Sequence, residues 1–244
     1  MVFGFFKKKS CALCDREGRL GNNTLPDENV VCDDCIKGKS PYIGSIKKFN
    51  LEQVKQHLAE REENKQKLQS FQETRVIGSY YKVRIDERQG LWLISRSSNY
   101  RSENPDIFAI NQVTGCNLKV DENKTELKEK DAQGKSQSYN PPRYEYSYDF
   151  DFTIYVNSPW FSQISFQINN SKIEDRWSTE YREAEKEANE IKEVLSEVHA
   201  QAREEVKEEK EALKPKTSIS CPNCQATTIP DANGRCEYCG GAVN

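Results

Sequence analysis

Tyr144-Glu145-Tyr146-Ser147-Tyr148-Asp149-Phe150-Asp151-Phe152-Thr153-Ile154-Tyr155-Val156 alternates large apolar with polar side chains over most of its length. A period of two is the signature of a strand with one face buried, because successive side chains point to opposite faces of a sheet. Tyr144, Tyr146, Tyr148, Phe150, Phe152 and Ile154 then form one face, and Glu145, Asp149, Asp151 and Thr153 the other. An aromatic face this regular predicts the core of a β-domain.

Further β-rich runs lie on both sides of it: Val76-Ile77, Tyr80 to Ile85, Leu91 to Ile94, Ile107 to Ile110, Cys116 to Val120, and Ile164 to Ile168. Six or seven strands with short turns are expected, and the segment Asp86 to Gly90, Gly115 and Asn140-Pro141-Pro142 supply the punctuation for reversals. The segment from Asp121 to Tyr139 is polar without an apolar period, and is read as a long mobile loop.

Helical patterns flank the β-region. Asn50 with Gln53 resembles a capping box opening a helix at Leu51, whose apolar stripe (Val54, Leu58, Leu68) is incomplete. Its middle is therefore expected to be solvated, with His57 exposed. From Tyr181 to Ala202, apolar residues recur every three or four positions (Ala184, Ala188, Ile191, Leu195, Val198), so one face of a long helix packs on a partner surface. Glu204 to Glu211 carry no apolar stripe, and a helix from about 178 to 213 would extend about 50 Å at 1.5 Å per residue, so its second half is read as a stalk. The same heptad spacing would serve a coiled-coil dimer. Lys214-Pro215 ends the pattern.

Eight of the nine cysteines form four Cys-x-x-Cys pairs, Cys11/Cys14 with Cys32/Cys35 and Cys221/Cys224 with Cys236/Cys239. Each pair places two sulfurs on one tight knuckle, and two facing knuckles make the tetrahedral thiolate shell preferred by zinc. The sequence therefore predicts two zinc ions in closed structural sites, with no open position for water or substrate. The ninth, Cys116, lies in a strand-like run, where a buried inert thiol is the ordinary outcome. Disulfides are the competing use, but Phe3, Phe5 and Phe6 precede Lys7, Lys8 and Lys9, the reverse of a secretory signal. A reducing, cytoplasmic setting is expected.

The 244 residues carry 31 % charged side chains and a mean hydropathy of −0.89, enough apolar content for one ordinary core plus small modules. The formal net charge of −3 becomes −7 when each site holds four thiolates against one divalent ion. That balance does not attract a phosphate backbone. The expected α+β organisation is a tail over 1–9, a zinc ribbon over 10–40, a linking helix over 50–71, a β-barrel over 74–200 capped by the helix at 178–213, a linker over 214–220 and a second ribbon over 221–244.

A strand-rich domain of this size capped by one amphipathic helix resembles the pleckstrin-homology-like fold. The whole is similar to bacterial proteins that begin with a Cys-x-Leu-Cys zinc ribbon and continue into such a domain, the likeness resting on the first four cysteines, on Tyr155-Val156-Asn157-Ser158-Pro159-Trp160-Phe161 and on the helix from Tyr181 to Val198. The C-terminal ribbon resembles the generic Cys-x-x-Cys-Gly knuckle. The resemblance implies fold, metal and binding in place of catalysis, since such domains mostly present loops and an edge to peptides or lipids.

No phosphate-binding glycine loop, His-Glu-x-x-His or nucleophile elbow occurs. The leading expectation is a non-catalytic scaffold with a protein partner. Two others stay open: nucleic-acid binding through Lys7, Lys8, Lys9, Lys37, Lys39, Lys47 and Lys48, offset by neighbouring acids, and transient membrane contact through the Phe/Lys tail. An enzyme built on Cys116 with His57 or His199 is the least supported reading.

Overall fold

The computed structural model describes residues 10–18, 23–212, 218–230 and 234–243, with residues 197–212 described as helix backbone alone. The tail 1–9, Gly21 and Asn22 of the first hairpin, the side chains of Val198, Ala202 and the expected stalk, and Lys214-Pro215 lie outside the described residues. The chain divides into two compact units, Met1–Ala202 and Arg203–Asn244.

In the first unit, β1 (Arg75–Ile77), β2 (Lys82–Asp86), β3 (Leu91–Ser95) and β4 (Ile107–Ala109) form one antiparallel sheet in that order. A second sheet, also antiparallel, holds β5 (Val113–Lys130), β6 (Ser136–Val156) and β7 (Gln163–Gln167). The aromatic alternation does form a core face: Tyr148, Phe150, Phe152, Ile154 and Val156 of β6 are buried with Val83, Ile85, Trp92, Ile94 and Phe108 of the first sheet. The face runs out toward the N-terminal end of β6, where Tyr144 is 44 % exposed.

The expected barrel is corrected to two sheets sharing one core. Among the described residues no ladder joins β4 to β5 or β1 to β7. The first sheet ends in strands of three residues on both edges, too short to carry hydrogen bonding around a corner, and a 3-10 turn over Ile110–Gln112 redirects the chain between the sheets.

The helix α3 (Thr179–Ala212) covers this core with Ala184, Ala188, Ile191, Val194 and Leu195, as its spacing predicts. Glu187 on the same helix accepts the Ser79 N–H at 3.0 Å, holding the β1–β2 turn. Gly78 in that turn has φ +108°, and a Cβ there would meet the Tyr81 carbonyl oxygen at 2.1 Å, so only glycine fits.

The polar segment read as a loop is instead the distal half of a β-hairpin. β5 and β6 pair from Val113↔Val156 to Lys130↔Ser136, and the reversal is confined to 131–135. There Asp131 Oδ1 accepts the N–H groups of Gln133 and Lys135 at 2.9 and 2.8 Å, and Gly134 takes φ 78°. Asn140-Pro141-Pro142 does not mark the reversal but sits inside β6 at a register shift opposite Leu127/Lys128. The apolar period was missing because the distal ladder has no core beneath it, and backbone pairing alone leaves both faces polar.

The helix α2 (Leu51–Ser70) carries the expected capping box, Gln53 N–H to Asn50 Oδ1 at 2.9 Å and Asn50 N–H to Gln53 Oε1 at 3.0 Å. Asp27 of the ribbon also accepts the Leu51 N–H at 2.8 Å, which holds its carboxyl below the usual range. The middle of α2 is buried, contrary to expectation. Val54, His57, Arg61, Asn64 and Leu68 follow one another at alternating steps of three and four, a seam hidden in the sequence because three of its members are polar.

Each of those three finds partners. Arg61 donates to Asp106 Oδ1 at 2.7 Å, to the Gly38 carbonyl at 3.1 Å and to the Asn104 carbonyl. Asn64 donates to Asn104 Oδ1 and the Pro105 carbonyl and accepts the Ile107 N–H. His57 is buried: its Nε2 accepts the Ser40 N–H at 3.0 Å, and its ring lies 4.9 Å from that of Trp160. Below this seam, Leu68 and Phe71 pack with Leu93 and Tyr100 on the outer face of the first sheet, so β2 and β3 are covered on both sides.

Two outcomes test the seam. Arg61→Ala leaves the Asp106 carboxylate buried without its cation and should destabilise the first unit by about 3–5 kcal/mol in denaturant unfolding, with part of the loss recovered by adding Asp106→Asn. Burial, and then the Arg61 charge, lower the His57 pKa, so its neutral form is favoured in the fold. Its contribution is complete above the ordinary value of about 6.5 and is lost as pH falls below it. The loss of stability between pH 7.5 and pH 5 should therefore be smaller in His57→Gln than in the native chain.

Candidate metal centres

All eight predicted ligands fall into two groups, Cys11, Cys14, Cys32 and Cys35 in the first unit and Cys221, Cys224, Cys236 and Cys239 in the second, with the sulfurs of each group within 4.8 Å of one another. The sulfurs of Cys11 and Cys35 lie 3.9 Å apart, of Cys14 and Cys32 3.8 Å, of Cys221 and Cys239 3.6 Å, and of Cys224 and Cys236 3.7 Å. A zinc–sulfur bond of about 2.3 Å sets the edge of a tetrahedron at about 3.8 Å. A disulfide would hold the sulfurs at about 2.05 Å, and all nine cysteines are free thiols. The donor set and its dimensions fit two zinc ions.

Three of the four knuckles share one backbone design. The N–H groups of Asp15, Gln225 and Gly240 donate to the carbonyls of Cys11, Cys221 and Cys236, and the N–H groups of those cysteines reach the carbonyls of Arg16, Ala226 and Gly241. The residue just past each second cysteine takes a left-handed φ: 55° at Asp15, 60° at Gln225 and 66° at Gly240. Main-chain N–H groups point at the sulfurs, from Asn223 to Cys221 Sγ at 3.4 Å within one such knuckle, and from Cys32 of the fourth knuckle across to Cys11 Sγ at 3.2 Å. In the fourth knuckle Cys32 instead precedes the short helix α1 (Asp33–Ile36).

These contacts prepare the thiolates. Burial raises the Cys11 thiol, but hydrogen bonds from the backbone at Cys32, Leu13 and Cys14 overcome it and bring it down to about 6. Cys236 reaches about 6 in the same way, burial being outweighed by the backbone at Cys239 and Tyr238 and by Thr228. Burial and the adjacent sulfurs push Cys35 up. The Ala226 N–H lowers Cys224, yet burial and its neighbouring sulfurs drive it up to about 12. Four close sulfurs cannot all ionise alone, and a divalent cation removes that conflict.

The two sites differ in support. Around the first, Leu25, Val30, Val31, Ile36, Ile46 and Val54 make an apolar jacket with the two buried cysteines. Around the second, the cluster is Cys221, Cys236 and Val243 with Ile219 against it, and the strands β8 (Ile219–Ser220) and β9 (Thr227–Thr228) are two residues each.

Cys116 packs against the β-core from β5, where burial pushes its thiol up to about 11 despite Lys192. His57 is engaged with Ser40 and Trp160, and the His199 side chain lies outside the described residues. Of the lysines read as phosphate contacts, Lys37, Lys47 and Lys48 are exposed and Lys39 donates to the Ile43 carbonyl at 3.1 Å.

Sequence reasoning did not find a recess of about 780 Å³, lined by Tyr42 and Pro41, by the β1–β2 turn with Tyr80 and Tyr81, and by Arg96 and Asp106. Arg96 donates to the Tyr80 hydroxyl at 2.6 Å and lies 5.3 Å from the centres of both tyrosine rings. Tyr80-Tyr81 was legible only as strand, whereas β2 begins at Lys82. Among the described residues no helix is long and apolar enough to cross a membrane. In comparisons with known families, with curated proteins and with solved structures, nothing matches the chain.

The difference in support predicts different responses to loss of metal. Cys236→Ser should abolish amide protection across 218–230 and 234–243 while leaving the unfolding midpoint of the first unit unchanged. Cys32→Ser should lower that midpoint as well, because the jacket around it continues through Val54 into α2. Hydrogen exchange read by mass spectrometry separates the two.

Proposed function

We propose that the protein is a non-catalytic, zinc-stapled adaptor whose β-domain engages a protein partner in a reducing, cytoplasmic setting. The observation that carries this reading is the saturation of both metal sites: four cysteine sulfurs each, with the dimensions of a closed tetrahedron, leave the metal a structural task. The four-plus-three arrangement of strands with α3 against the shared core supports a pleckstrin-homology-like reading of residues 74–200.

The recess between the β1–β2 turn and the segment after β3 is the favoured contact surface. Three tyrosines and Arg96 combine large apolar area, low side-chain entropy and a fixed guanidinium, the composition that dominates protein-binding hot spots. Pro41 and Tyr42, which follow the ribbon directly, complete that rim, with Tyr42 packed against the β-core.

The test is affinity capture of the tagged, zinc-loaded chain from its own host, with and without nuclease, beside an Arg96→Glu variant that retains its fold. A defined protein that survives nuclease and is depleted at least tenfold by Arg96→Glu is expected. Partners that vanish on nuclease treatment, or sedimentation of the chain with anionic vesicles unchanged by Arg96→Glu, would overturn the reading in favour of nucleic acid or a membrane surface.

A further inference from the structure

The hairpin arm leaves a long backbone edge. β5 is the outer strand of its sheet, and among the described residues no backbone hydrogen bond of 114–130 goes anywhere but to β6. From Lys119 to Lys130 most side chains are exposed. Such an edge is a template for another strand, and proteins that keep theirs unpaired blunt it with proline, bulges, a covering element or repelling charge. β5 has no proline, and its irregularity near Thr114 lies well before the exposed stretch. The shift opposite Leu127/Lys128 leaves β5 itself continuous, because the unpaired residues 139–142 belong to β6.

The charges on this edge do not repel a second copy. Glu122, Lys124, Glu126 and Lys128 lie on one face and reverse sign about Thr125. In an antiparallel pair of identical strands related by a two-fold axis, residues equidistant from the axis stand opposite one another on the same face. With the axis at Thr125, Lys124 faces Glu126 of the second copy and Glu122 faces its Lys128. Moving the axis one residue either way sets Lys124 against Lys124 or Glu126 against Glu126, which is unfavourable. On the other face Asp121 would meet Glu129, but Asp121 is already paired with Lys119 at 2.6 Å.

We infer that β5 is a self-association edge: two copies of this chain join antiparallel through β5, centred on Thr125, into one continuous six-stranded sheet. The occupant is a second copy because the sign reversal about one residue is the condition for self-complementarity. This interface is separate from the recess and from any pairing of α3.

The test uses the full, zinc-loaded chain. Sedimentation equilibrium should show a dimer that weakens with salt. Lys124→Glu, which turns two opposed pairs into like ones, should weaken it about tenfold. Adding Glu126→Lys to that variant restores opposite charges and should restore the dimer. Thr125→Cys places two thiols beside the axis and should give a cross-linked dimer with a short thiol-reactive linker, whereas Asn117→Cys should not. A monomer at all concentrations would overturn the inference. So would a dimer unchanged by Lys124→Glu, or one that cross-links at Asn117→Cys in preference to Thr125→Cys.

Discussion

The ion pair of Arg61 with Asp106 is the constraint on which the first unit depends. Both side chains are nearly removed from water, at 8 % and 12 % exposure, and an isolated charge in either place would be costly. Burial pushes the Asp106 carboxyl up, while the Arg61 charge and the Ser40 hydroxyl at 2.8 Å pull against it. The arrangement is selective as well as cohesive. Arg61 can meet Gly38, Asn104 and Asp106 together only if the ribbon, α2 and the loop before β4 are all in place.

Trp160 extends this junction from the other sheet. The loop after β6 sends its indole N–H to Glu60 at 2.6 Å and its ring against His57 and Phe49, while Phe161 meets Tyr42 and Phe108. One helix is thus clasped by the ribbon, by the first sheet and by a loop of the second. The zinc site at one end of this assembly therefore sits in a continuous structure, and metal-driven order in the ribbon is coupled to the core through Val54 and Ser40. Among the described residues the second site has few apolar side chains beside it, so there the metal supplies most of the order.

Much of this was legible in particular residues. The cysteine pairs named their own ligands because a short Cys-x-x-Cys knuckle is a local structure, and joining neighbouring knuckles closes far shorter loops than joining the two ends, the pairing that the structure shows. The β6 alternation and the Ala184 to Leu195 stripe identified their buried faces because each period matches its element. What failed has one cause in common. His57, Arg61 and Asn64 are polar and were assigned to water, although their partners, Ser40, Asp106 and Asn104, wait on distant segments. The distal hairpin was read as loop for a related reason, since its strands are held by each other and not by a core.

By itself, then, the sequence determined what short-range chemistry and regular burial determine: two four-thiolate sites, the apolar faces of β6 and α3, and the capping of α2. Only the tertiary structure decided that the strands form two sheets and not a closed barrel, that a polar seam closes the ribbon onto the β-domain, and that residues 119–130 form an edge. Those features depend on hydrogen bonds between groups far apart in the chain, and a polar side chain carries no mark in sequence of whether its partner is water or protein.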